Sequence, residues 1–266
     1  KKSTKRMLSI FVSLCVALAM VAPAAVFADA QAAALADQNT AEAPKDEIPV
    51  AEDITVFYTN DVHTYIDKGS KAFDYAKLAT LKKGYNPTNV LVLDAGDHIQ
   101  GTAYGSMDNG KTIVKLMDAV GYDAATLGNH EFDYGYDNLV KLSRTAKFPI
   151  LSANTLYNGK TAFGDNKIFT APNGTKIGVF GLETPETATK AHPGKIKGVT
   201  FPAGQEMFKI AQNQVNVLKS QGCERIVCLG HLGIDNESVG NRSIDLLNAV
   251  KGIDVFIDGH SHSDLE

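Results

Sequence analysis

From Asp53 onward the chain alternates short apolar runs with helix-patterned stretches, and most runs end in a cluster of Asp, Asn or His. The runs cover residues 54–59, 90–94, 124–127, 149–153, 177–182, 225–230 and 254–258. Segments this short and this rich in Val, Ile and Leu read as buried strands. Between them, Ile113, Leu116, Met117 and Val120 make one amphipathic stripe, and Met207, Ile210, Ala211, Val217 and Leu218 make another. Such alternation predicts an α/β fold. Pro172-Asn173-Gly174, between two β-patterned segments, reads as a hairpin turn, so an antiparallel strand is expected in a mixed sheet.

The residues that follow the runs carry the chemistry. Asn60-Asp61-Val62-His63 follows the first, Ala95-Gly96-Asp97-His98 the second, and Gly128-Asn129-His130-Glu131-Phe132-Asp133 the third. His231 follows the sixth, and Gly259-His260-Ser261-His262 the last. Six of the seven histidines therefore sit just past a strand's C-terminal end, and only His192 does not. In open α/β sheets those ends share one edge, where ligands bind.

Imidazole nitrogens mixed with carboxylate oxygens are the donor set of a divalent cation, and two cations require at least one bridging carboxylate. Asp61, His63, Asp97, Asn129, His231, His260 and His262 supply that set. Asp61/His63 and His260/His262 are i, i+2 pairs, which project to one side of an extended segment. A dinuclear metal site at the strand ends is the expectation.

In this order, D-x-H, G-D, G-N-H-[ED], G-H and G-H-S-H resemble the calcineurin-like metallophosphoesterases. The flanking segments YTNDVH, LDAGDHIQGT, GYDAATLGNHEFDYG, LSAN, GLETPET and DGHSH resemble the secreted bacterial 5′-nucleotidase/UDP-sugar hydrolase family. The resemblance runs from Ile54 to the last residues. It implies a four-layer α-β-β-α sandwich. It also implies two divalent ions of the Zn, Mn or Co type: one held by Asp61, His63 and His262, the other by Asn129, His231 and His260, with Asp97 bridging. His130 and Asp133 match the family's catalytic dyad, while Asp94 and His98 are left as strand-end and loop residues. The implied reaction is attack on phosphorus by a hydroxide held by the metals, releasing phosphate from nucleoside 5′-monophosphates. Hydrolysis of 2′,3′-cyclic nucleotides or UDP-sugars could use the same site. A thiosulfohydrolase and a non-catalytic binding module are remoter alternatives. The resemblance further implies a separate C-terminal nucleotide-binding domain, so residues 53–266 are expected to be an incomplete catalytic domain.

Residues 1–28 combine a basic start, an apolar run and the small-residue ending Ala25-Val26-Phe27-Ala28, the three parts of a secretory signal peptide. The apolar run of about 16 residues falls short of the ~20 of a spanning helix, so no stable membrane span is expected after cleavage. Residues 29–52, rich in Ala, Asp and Glu, read as a flexible linker. Export to the periplasm, the exterior or the cell wall is the expectation, as a monomer. Loss of Lys1, Lys2, Lys5 and Arg6 would take the formal charge from −4 to −8, which argues against nucleic acid polymers as partners. Cys223 and Cys228 lie on or next to one apolar run, roughly 17 Å apart along an extended strand and so beyond the ~7 Å of a bridged pair, and read as core residues rather than a disulfide. Gly105–Thr112 matches a phosphate-loop pattern, but no strand leads directly into it, and a turn with a helix start is expected there.

Overall fold

The computed structural model describes residues 53–66 and 73–263. The expected signal peptide and linker lie outside the described residues. In chain order the elements are β1 (Thr55–Thr59), α1 (Tyr75–Lys82), β2 (Val90–Asp94), α2 (Ala103–Ser106), α3 (Lys111–Val120), β3 (Ala124–Thr126), α4 (Tyr136–Thr145) and β4 (Ile150–Leu151). There follow β5 (Leu156–Tyr157), β6 (Lys160–Thr161), β7 (Asn166–Thr170), β8 (Lys176–Leu182), α5 (Thr187–Lys190) and β9 (Val199–Thr200). The last are α6 (Gly204–Ser220), β10 (Arg225–Gly230), α7 (Ser243–Ala249) and β11 (Val255–Ile257).

Two four-stranded sheets form the frame, in the orders β1-β2-β3-β4 and β11-β10-β8-β7. The first is wholly parallel. In the second, β7 runs antiparallel to β8, joined by the expected hairpin, while β8, β10 and β11 are parallel. The sheets face each other across an apolar layer that includes Leu91, Leu93, Leu151, Val179, Val227, Leu229 and Ile257. A second cluster packs the first sheet against α3 and α4 through Val92, Ile113, Met117, Leu127 and Leu139. A third packs the other sheet against α6 and α7 through Phe180, Met207, Ala211, Leu218 and Leu246. The layers are therefore α-β-β-α, as the resemblance implies. Each fully buried aliphatic or aromatic side chain contributes about 1.5–3 kcal/mol, so three apolar layers hold the loops at the strand ends in place.

The two sheets come close at Gly181, where a Cβ would lie 2.1 Å from the Leu151 carbonyl oxygen. Cys223 and Cys228 are buried and free. Within the phosphate-loop pattern, Gly110 turns left-handed (φ 87°) and Asp108 accepts from the Thr112 N–H at the start of α3, so the segment is a turn and helix start. The sequence pattern did not show the small antiparallel sheet of β6, β5 and β9, each two residues long and too short to show a period.

Candidate metal centre

The loops after β1, β2, β3, β10 and β11 meet at one place. The Asp61 N–H donates to Gly96 O at 3.0 Å, and the His260 N–H donates to both Asp61 carboxylate oxygens at 3.1 Å, joining the two sheets' ends. Eight non-glycine residues among those described have positive φ, and five of them are Asp61, His63, Asp97, His260 and His262. Asp tolerates this region better than most residues, yet each such position costs the fold some energy, and it is concentrated at the site.

Donor atoms of Asp61, His63 and His262 lie within 4.8 Å of one another, and so do those of Asp61, Asp97 and His231. The ring nitrogens His63 Nε2 and His262 Nε2 face each other at 3.2 Å. His262 Nε2 lies 3.3 Å from Asp61 Oδ1, and His63 Nε2 lies 3.5 Å from Asp97 Oδ2. His231 Nε2 approaches Asp97 Oδ2 at 3.1 Å without hydrogen-bond geometry, and it is a buried atom with no hydrogen-bond partner. Asn129 Oδ1 is orphaned in the same way. Buried polar atoms are normally paired, so an unpaired ring nitrogen beside two carboxylates fits a divalent cation well. Asp61 belongs to both sets, a sharing that the family resemblance ascribes to Asp97. His260 sits beside His231, with ring centroids 5.1 Å apart, but its Nε2 is engaged by Glu186 at 2.9 Å.

The electrostatics match this crowding. Burial opposes ionisation of Asp97, but the His231, His63 and His130 rings outweigh it and hold the carboxyl well below its usual range. For Asp61 burial is likewise outweighed, by its bond with His262 and the charge of His231. Burial works against a charged His231, yet Asp97 and Asp61 push its proton affinity well above the ordinary imidazole value. The hydrogen bond to Asp61 raises His262.

An open cleft of about 440 Å³ adjoins these groups, with His63, Asp97, Asn129, His130, Lys190 and His262 among its lining residues. His130 Nδ1 bonds Asp133 Oδ2 at 2.7 Å, and that contact raises the ring's proton affinity. Of the nine residues singled out by sequence, His63, Asp97, Asn129, His130, His260 and His262 line the cleft, Asp61 and His231 belong to the donor clusters beside it, and Asp133 stands behind His130; His260 falls in neither donor cluster.

The residues that hold the loops are those the pattern did not reveal. Glu131 is fully buried and accepts from the backbone N–H groups of Gly128 (2.6 Å), Asp97 (2.7 Å), His98 (2.8 Å) and Ile99 (3.2 Å). It therefore ties the loop after β2 to the loop after β3. His98 is no ordinary loop residue: fully buried, it bonds Asp94 at 2.8 Å. Burial alone would lower its pKa, but Glu131 and Asp94 outweigh it and hold it at about 9. Asp94 in turn accepts from Thr59 Oγ1 at 2.6 Å. The i, i+4 spacing of Asp94 and His98 was the only local hint. Glu183 lies fully buried, its carboxyl pushed well up by burial. Glu186 accepts from Lys190 at 2.8 Å and from the Ser238 hydroxyl. Burial is outweighed there by those bonds and by His260, which hold the Glu186 carboxyl at about 2.

Comparison with known proteins agrees with this geometry. Residues 54–264 match the family model described as calcineurin-like phosphoesterase. The chain is 31% identical to mouse 5′-nucleotidase over 80% of its own length and 38% of that protein's. It is 36% identical to the NAD 5′-nucleotidase of Haemophilus influenzae, covering 80% of this chain and 36% of the relative. The crystal structure of the calcineurin-like phosphoesterase YfkN from Bacillus subtilis superposes with a TM-score of 0.67 at 31% identity, over 79% of this chain and 72% of that one. The chain thus spans less than two fifths of the length of either curated relative. On the family match, the fold and the strand-end site together, the chain belongs to the calcineurin-like phosphoesterases.

Proposed function

We propose that this domain hydrolyses phosphomonoesters, nucleoside 5′-monophosphates among them, using two divalent cations. One would be held by Asp61, His63 and His262, the other by Asn129, His231 and His260, with Asp97 between them. The observation that carries the reading is that His231 Nε2, buried and without a hydrogen-bond partner, forms one donor cluster with Asp61 and Asp97, beside an open cleft that Asp97 and Asn129 line. When bound, a pair of divalent cations lowers the pKa of water and neutralises charge growing on phosphoryl oxygens.

The chain's own groups do the rest. Asp133 accepts the Nδ1 proton of His130, which fixes the ring and leaves Nε2 as the nitrogen available to a phosphoryl or leaving-group oxygen. That contact also raises the affinity of His130 for a proton, so the ring can donate one to a departing alkoxide. Glu131 keeps Asp97 and Asn129 in register by tying their loops together. Nucleotides are the proposed substrates because the named relatives are 5′-nucleotidases. Export is part of the same proposal and rests on the residue pattern of 1–28 alone. Among the described residues, no helix is long and apolar enough to cross a membrane.

The test is hydrolysis by the purified chain, read as phosphate freed from AMP and a simple aryl phosphate and as nucleoside monophosphate formed from a 2′,3′-cyclic nucleotide and a UDP-sugar, with added Mn²⁺ or Zn²⁺ and with a chelator. Release from AMP that stops with chelator and is lost in Asp97→Ala and His231→Ala is expected. Undiminished activity in either variant would refute the reading.

A further inference from the structure

We propose that Glu186 is a positioning residue that fixes His260 in the tautomer with its proton on Nε2, leaving Nδ1 as the ring nitrogen offered to a divalent cation. The assignment rests on the two-cation reading above and adds which atom of His260 serves it and what sets that atom.

His260 is tethered twice. Its backbone N–H reaches both oxygens of Asp61 at 3.1 Å, across from the other sheet, and its φ is held at +78°. Its ring Nε2 lies 2.9 Å from Glu186 Oε2. Glu186 is itself placed by two further donors, Lys190 Nζ at 2.8 Å and the Ser238 hydroxyl. A carboxylate in that company only accepts, so the ring proton belongs on Nε2. Lys190 Nζ also lies 3.3 Å from the same ring nitrogen, and if it donated there the proton would move to Nδ1. The shorter contact with Glu186, and the bond Lys190 already makes to that carboxylate, favour Nε2–H. No hydrogen bond engages His260 Nδ1 among the described residues.

The other rings of the site run the opposite way. His231 Nδ1 bonds Ala95 O at 2.7 Å and His63 Nδ1 bonds Gln100 O at 3.2 Å. Both therefore turn Nε2 toward the carboxylates Asp97 and Asp61. The backbone carbonyls that fix those two rings come from the loop after β2. His260 approaches from β11 of the second sheet, where its Nε2 meets the Glu186 side chain instead. Glu186 stands in the loop after β8, a strand end that carries no histidine.

Two measurements test this. Long-range ¹H–¹⁵N spectra of the ¹⁵N-histidine chain without metal report ring tautomers, with His260 assigned by its loss in His260→Gln. Calorimetric titration with Zn²⁺ reports the number and affinity of sites. The wild type is expected to show Nε2–H at His260 and to bind two Zn²⁺. Glu186→Ala is expected to lose the tautomer preference and weaken one of the two sites about 10–100-fold, with the other retained. Glu186→Gln, whose amide oxygen can still accept the Nε2 proton, is expected to restore the tautomer and most of the affinity. An Nδ1–H ring in the wild type overturns the proposal, as do two undiminished sites in Glu186→Ala or a Gln variant no better than Ala. Should Glu186→Ala not fold, the wild-type tautomer and the Gln variant decide. A wild type that binds fewer than two Zn²⁺ overturns the two-cation reading and this assignment with it, whereas two bound Zn²⁺ with an Nδ1–H ring at His260 overturn this assignment alone.

Discussion

Replacing Glu131 by Gln would test whether one buried side chain holds the two central loops of the site together. Its oxygens divide four backbone donors evenly: Oε2 takes Asp97 and Gly128, and Oε1 takes His98 and Ile99. An amide has one oxygen and one NH₂. Whichever way the new amide is turned, two of the four N–H groups face another donor in a site with no access to water. An unsatisfied buried donor costs about 1–3 kcal/mol, so the substitution should cost about 4 kcal/mol. Loss of the carboxyl's attraction for the nearby His98 ring, 3.6 Å away, acts in the same direction. Against a total stability of about 5–15 kcal/mol this is a large fraction. With a urea slope near ~2 kcal/mol/M, the midpoint should fall by about 2 M. Both proteins should be unfolded in urea with chelator present, so that metal binding does not enter. A loss below about 1 kcal/mol would refute the idea that Glu131 fastens the loops.

Other substitutions probe the remaining parts. Gly128→Ala should lower both Zn²⁺ affinity and the urea midpoint, by about 1–3 kcal/mol, because its Cβ would lie 2.3 Å from Asp97 Oδ1 and 2.7 Å from His231 Cε1. Calorimetry and unfolding on one sample check it, and an unaffected variant would show that the loops have room to spare. Phe132→Ala removes a fully buried ring packed edge-on against Phe201 at 5.2 Å, and should cost about 3–5 kcal/mol in the same assay. Cation binding should stabilise the chain by about 2.7 kcal/mol per site at a hundredfold excess over Kd, raising the thermal midpoint reversibly with chelator; a midpoint indifferent to Zn²⁺ and Mn²⁺ counts against the site. Burial raises the Asp123 carboxyl above its usual range despite the Val92 N–H and Lys82. The unfolded chain then loses that proton first, so this residue's contribution to stability falls as pH rises through the carboxylate range. The difference in unfolding free energy between wild type and Asp123→Asn, measured from about pH 4 to 7, should show that decline, and a rising difference would contradict it.

The layered α/β class, the strand ends as the place of chemistry, and the residues gathered there are all legible in the chain read from end to end. These features are local: a four- to six-residue apolar run followed by Asp, Asn or His can be recognised without knowing what it packs against. The hairpin before β8 and the turn before α3 were readable for the same reason, since Gly174 and Gly110 mark backbone that turns left-handed. How the gathered residues divide their work emerges only once the chain is folded. Glu131 meets the Asp97 N–H from 34 positions away, Glu186 meets His260 from 74, and His231 meets the Ala95 carbonyl from 136. No period or motif spacing records such pairings, because each depends on two sheets closing face to face with their loops at one edge. Asp61 shows the same limit, for its place in both donor clusters follows from where the second sheet brings His231 and His262. A sequence names the groups that can bind, whereas the packing of distant strands fixes which atom of each group is left free to do so.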